Sequence, residues 1–126
     1  MANKVDTMKN VAQIQAIANA YWDRYCEAFP KLVKFDCPEI QLNKRLTRTA
    51  GRCHSDDNYI VLGYKFLEQF EHNMLTVILP HELAHQIDYN LNGWWDRKLH
   101  HGPQWCAIMG RIGRKPEPYH SMELKL

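Results

Sequence analysis

Residues 79–86 read LPHELAHQ, and the reading of these eight positions decides the rest of the chain. On an α-helix, positions i and i+4 share one face one turn apart, so His81 and His85 direct two imidazoles at a single point. Glu82 lies about 100° round from His81 and one turn from His85, on the flank of that face. Two neutral imidazoles with a carboxylate beside them are what a hydrolytic zinc site draws from one helix. The bland alternative is a pair of surface histidines. It fits poorly, because TVIL before the motif and LA within it make the helix largely apolar, and histidines on a buried face need partners.

Working outward, the helix is expected to open with Asn73 as its cap and to close at Asn92-Gly93. Pro80 stands inside it, removing a backbone donor and crowding the carbonyl of Thr76, so a kink or loosened turn is expected there. Upstream, Val11, Ile14, Ala18, Tyr21, Trp22, Tyr25 and Phe29 recur at helical spacing. Asp6 or Thr7 is placed to cap that helix, and Pro30 stops it. Between the two helices, from Glu39 to Leu62, Ile40 and Leu42 alternate with polar neighbours and SDDN supplies turn chemistry, which predicts three short antiparallel strands. A short helix is expected at Tyr64–Phe70. A last one opens at Pro103, buries Trp105, Ile108, Met109 and Ile112, and ends at Gly113.

Catalytic zinc takes three protein ligands and keeps one position open. The helix provides two, and KLHHGPQW offers His100 and His101 for the third. His101 abuts Gly102-Pro103, a rigid entry to the last helix that fixes its direction better than that of His100. Asp88 is a rival on the same helix face, but about 10.5 Å along the axis from His81, which suits a supporting role better than ligation.

The 126 residues suit one domain spanning 1–126, large enough to fold without metal or disulfide staples. Cys26, Cys37, Cys53 and Cys106 show no C-x-x-C pairing and read as buried or idle thiols. No apolar leader or membrane-length stretch occurs, which makes a cytoplasmic monomer the expectation. Net charge is +2 with a pI near 8.4, too mild to argue nucleic-acid binding alone. Locally, however, Lys44, Arg45, Arg48 and Arg52 fall close together, with Arg111, Arg114 and Lys115 near the end. These form the basis of a second reading, a DNA-binding or adaptor module organised by zinc. A retained Glu82 favours the enzyme, since a structural metal site has no use for a general base.

VILPHELAHQ followed by HHGPQWCAIMGRIG resembles the SprT family of zinc metallopeptidases, which includes bacterial SprT and the protease domain of the eukaryotic Spartan proteins. PYHSMEL, and more weakly LNKRLTRTAGRC with NYIVLGYKFL, extend the resemblance over nearly the whole chain. It implies an α+β fold with a zincin-like core: an N-terminal helix, a small three-stranded antiparallel sheet, an active-site helix and a C-terminal helix. It assigns zinc to His81, His85 and His101 and catalysis to Glu82, acting on protein or peptide substrates that include DNA-associated ones. Bacterial SprT proteins commonly continue into a zinc ribbon with paired cysteines. None is written here, so a minimal peptidase domain is expected. Tyr119 or His120 is the expected second donor to the oxyanion, and Trp94 and Trp95 read as packing or half-exposed residues, with a lid or wall over the cleft as the alternative.

Overall fold

The computed structural model describes residues 9–93 and 101–125, and its architecture is α+β. Asp6, Thr7, Trp94, Trp95 and His100 lie outside the described residues. The first helix, α1 (Val11–Ala28), starts on Asn10, whose side chain accepts from the Gln13 amide while Gln13 reaches back to the Asn10 amide. This reciprocal box satisfies two orphan donors, so the cap falls later than the expected Asp6 or Thr7. Ile14, Ala18, Trp22 and Tyr25 form the buried stripe, whereas Val11, counted in that stripe from spacing, is 43% exposed in the first turn. Pro30 opens a 3₁₀ turn, Pro30–Lys34, and ends the helix as its missing N–H requires.

Three strands follow: β1 (Glu39–Asn43), β2 (Gly51–His54) and β3 (Tyr59–Gly63). The sheet order is β1-β3-β2, with β2 and β3 antiparallel but β1 and β3 parallel. The antiparallel expectation thus holds for one pair and fails for the other. A 3₁₀ turn at Ser55–Asp57, closed by Asn58 in the left-handed region at φ 54°, folds β2 straight back onto β3. The longer link at 44–50 instead carries the chain across to the far edge, leaving a place for β3 beside β1. Alternation fixes which side chains face the core, not which strand is the neighbour. Ile40 sits level with Ile60 and Leu42 with Leu62, so the parallel register aligns apolar rows. Gln15 of α1 locks β1 to the helix by accepting from the Ile40 amide at 2.7 Å and donating to the Pro38 carbonyl at 3.0 Å.

Helix α2 (Tyr64–Asn73) breaks at Phe70, where φ −137° and ψ 46° leave the helical region, close to the expected stop. Asn73 is not a cap. Its backbone is helical, and the chain runs on through a π turn, Met74–Ile78, into α3 (Leu79–Asn92). This π turn is the loosened turn that Pro80 demanded. Leu79 donates five residues back to the Met74 carbonyl, and Pro80 has nothing to donate. The carbonyls left over are satisfied from outside. Leu75 accepts from the Tyr21 hydroxyl at 2.8 Å, and Thr76 accepts from Arg114 Nη1 at 2.9 Å.

The end of α3 comes at Gly93, whose φ of 71° suits glycine and whose amide closes on Tyr89. Helix α4 (Pro103–Arg111) buries Trp105, Ile108 and Met109 against α3. Gly113, at φ 78°, turns the chain with paired bonds from Gly113 to Gly110 and from Arg114 to Met109. That paired C-cap geometry aims Arg114 back at Thr76. The extended tail then returns over the cleft, held by His120 on the Arg48 carbonyl and by Lys125 paired with Gln69. No helix among the described residues is long and apolar enough to cross a membrane.

Candidate metal centre

The i, i+4 spacing on α3 and the rigid Gly102-Pro103 entry to α4 converge as the sequence requires. His81 Nε2 and His85 Nε2 stand 3.2 Å apart, and His101 Nε2 lies 3.1 Å from each. Three nitrogens held about 2.0–2.1 Å from a tetrahedral zinc would themselves be ~3.3 Å apart, so the triangle matches that donor set. His81, His85 and His101 form the group that could hold a metal ion among the described residues. Asp88 is not part of it. Its carboxylate accepts from Asn92 Nδ2 at 2.8 Å, one turn further along α3.

The electrostatics favour neutral imidazole. Burial, then the neighbouring His101, lower the His81 pKa to about 4, against a hydrogen bond to the Glu117 backbone that raises it. A neutral ring keeps the lone pair that ligation needs. The bond to Glu117 ties the C-terminal tail to a ring of the centre. No sequence signal marks Glu117, because the contact is made by main chain.

Glu82 is 6% exposed, with Oε2 4.0 Å from His81 Nε2. Burial pushes its carboxyl up to about 8, and a cation beside it would pull that value down. Gly51 on β2 is the reason the sheet edge approaches so closely. A Cβ there would stand 3.2 Å from Glu82 Cγ and 3.0 Å from Ile78 Cγ2. Further along, Gln86, 1% exposed, donates to the Ser55 carbonyl and to Asn90 Oδ1, which pins the end of β2 to α3.

These groups line a cleft of about 1570 Å³ between β2 on one side and the tail around Glu117–Met122 on the other. β2 is an edge strand and borders it. Of the two tail residues expected as donors, His120 has both ring nitrogens engaged, Nε2 by the Arg48 carbonyl and Nδ1 by the Met122 amide. Tyr119 is 84% exposed, with its ring 5.9 Å from that of His101. Lys44, Arg45, Arg48 and Arg52 are all exposed. Arg48 and Arg52 border the cleft, while Lys44 lies over the Tyr64 ring at 5.2 Å. The four cysteines are free thiols.

An α+β fold in which one helix and one following loop bring three imidazoles together beside a buried carboxylate defines a chain built around a candidate metal centre. The SprT-like family model matches residues 14–123, and the chain belongs to that family. It is similar to Protein SprT of Vibrio atlanticus, 28% identical over 117 residues that cover 92% of this chain and 63% of that protein. Protein SprT of Actinobacillus succinogenes is 31% identical over 114 residues, covering 90% of this chain and 64% of its own length. Protein SprT of Pseudomonas putida is 30% identical over 90 residues, 71% of this chain and 52% of that one. The chain thus spans less than two-thirds of the length of these relatives. No solved structure matches it.

Proposed function

We propose that the chain is a zinc-dependent endopeptidase. The observation that carries this reading is the triangle of His81, His85 and His101 nitrogens with the Glu82 carboxylate 4.0 Å from one of them. Zinc, when bound by the three neutral histidines, supplies Lewis acidity that brings the pKa of water from about 15.7 toward about 7. Glu82 takes the proton of the attacking water and returns it to the leaving amine. Its burial keeps bulk water from competing for that proton. The free edge of β2 offers main-chain donors and acceptors to an extended peptide, which would lie along the cleft as an added strand. Tyr119 is the better-placed tail group to donate to the developing oxyanion, since His120 is already committed.

The test joins metal content to proteolysis. Glu82→Gln keeps shape and hydrogen-bonding reach but cannot accept a proton, so zinc should stay near one per chain while casein digestion falls ~10²- to 10⁴-fold. His85→Ala should lose zinc and digestion together. A Glu82→Gln variant that digests casein at the wild-type rate removes Glu82 from the mechanism. A zinc-loaded wild type that cuts nothing, with or without DNA, favours the zinc-organised module instead.

A further inference from the structure

Trp105 is fully buried, and its indole meets all three imidazoles of the centre. The ring centroids are 4.9 Å from His81 at 62°, 5.4 Å from His85 at 19° and 4.7 Å from His101 at 70°. One flat side chain therefore stacks on one ring and receives the other two at an angle, arrangements that aromatic pairs prefer. The indole is itself oriented, because Nε1–H donates to the His81 carbonyl at 3.4 Å on α3 while the side chain springs from α4.

Rotation of an imidazole about χ2 is broad, so spacing along a helix does not fix the plane of the ring. A ring twisted out of its plane swings Nε2 away from the point of convergence and opens the 3.1–3.2 Å triangle. We infer that Trp105 is a positioning residue for the metal centre, setting the planes of His81, His85 and His101 together so that their Nε2 atoms converge. This rests on the metal-centre reading of the proposed function. It adds that ring orientation comes from a shared aromatic platform as well as from hydrogen bonds such as that of His81 to Glu117.

Full-length wild type, Trp105→Phe and Trp105→Leu are loaded with Zn²⁺ in competition with a chromophoric chelator, and separately with Co²⁺ to record its visible d–d bands. Groups that orient ligands commonly contribute 10- to 100-fold in metal affinity. Leucine keeps apolar bulk without a flat face, so its zinc affinity should fall ~100-fold and its Co²⁺ bands should shift. Phenylalanine keeps one flat ring and should lose ~10-fold or less, with bands near wild type. Both variants bury less area and lower the melting temperature of the metal-free protein. Stability alone therefore does not separate the cases, whereas recovery of affinity and spectrum by phenylalanine does. Trp105→Met, apolar and flexible, takes the place of leucine if that variant does not fold. Wild-type affinity and bands in the leucine or methionine variant overturn the inference, as does equal weakening by phenylalanine and leucine. A wild type that takes up neither metal overturns the metal centre itself, a result distinct from either.

Discussion

Gly51→Ala tests how closely the sheet edge is fitted to α3. The added Cβ would sit 3.0 Å from Ile78 Cγ2, 3.2 Å from Glu82 Cγ and 3.3 Å from Leu62 Cδ2, three contacts that are all tighter than ordinary packing. Ile78, Glu82 and Leu62 are themselves buried, at 7%, 6% and 0% exposure, so none has open space to yield into. Overpacking of this kind costs about 1–3 kcal/mol, and the lost chain entropy of glycine returns roughly 0.4–1. A net loss of ~1–2 kcal/mol follows. At ~2.1 cal/mol/K per residue, 126 residues give ~0.26 kcal/mol per kelvin at the transition, so the melting temperature should drop by roughly 4–8 °C. Thermal denaturation followed by circular dichroism reads this directly. Ile78→Leu removes the Cγ2 methyl at the tightest contact, and in the double variant the loss should be smaller than the sum of the two single losses. Proteolysis should fall while zinc content holds, since the clash reaches Glu82 and no histidine. A Gly51→Ala protein as stable as wild type, or strictly additive behaviour with Ile78→Leu, would refute the close fit.

Arg114→Met strips the donor from the Thr76 carbonyl at the π turn, and a bond to a charged donor contributes ~1.5–3 kcal/mol; at this partly exposed site urea unfolding should show a loss near 1 kcal/mol, and no loss would mean that water replaces Arg114. Burial pushes the Cys37 and Cys53 thiols up to about 12, so both stay protonated at pH 8. Iodoacetamide at that pH should label them only as the protein unfolds, and mass-spectrometric labelling of native Cys53 at the rate of a free thiol would contradict its environment. Replacing Arg45, Arg48 and Arg52 with glutamate should abolish any binding to duplex DNA seen at low salt, and wild-type binding should weaken with a log–log slope of about −0.9 per phosphate contacted. Binding that ignores both changes would show those arginines to be an ordinary solvated face.

The convergence of the three imidazoles was legible because its information is local. His81 and His85 are related by helix geometry, and His101 is aimed by the Gly102-Pro103 that follows it, so few rotations separate sequence from site. The loosened turn at Pro80 was legible for the same reason, being dictated by one missing hydrogen. What escaped depended on partners distant in the chain. β1 chooses β3 over β2 through the path of 44–50, and nothing in the alternation of Ile40 and Leu42 records that path. Asn73 offered a capping side chain that went unused, because the helical break was already taken at Phe70. Trp105 read as one more buried aromatic on an amphipathic stripe, and that it underlies three imidazoles shows only once α4 is laid against α3. Gly51 sat unremarked within TAGRC, its significance supplied by Ile78 and Glu82 from across the fold.

The π turn at Met74–Ile78 also sets a phase. It holds one residue more than an α turn would, and each residue of a helix is worth about 100° of rotation. Leu79, Leu83 and Ile87 after it therefore meet the same core that Met74 and Leu75 enter within it. Deleting one residue between 74 and 78 would restore α-helical pairing and shorten the chain by a single position. It would leave His81, Glu82 and His85 facing as they do now, whereas α-helical pairing forced on the undeleted chain would wheel them by about 100° relative to the turn before them. The spare residue works as an angular gear, and the orientation of the centre toward the sheet is counted in it.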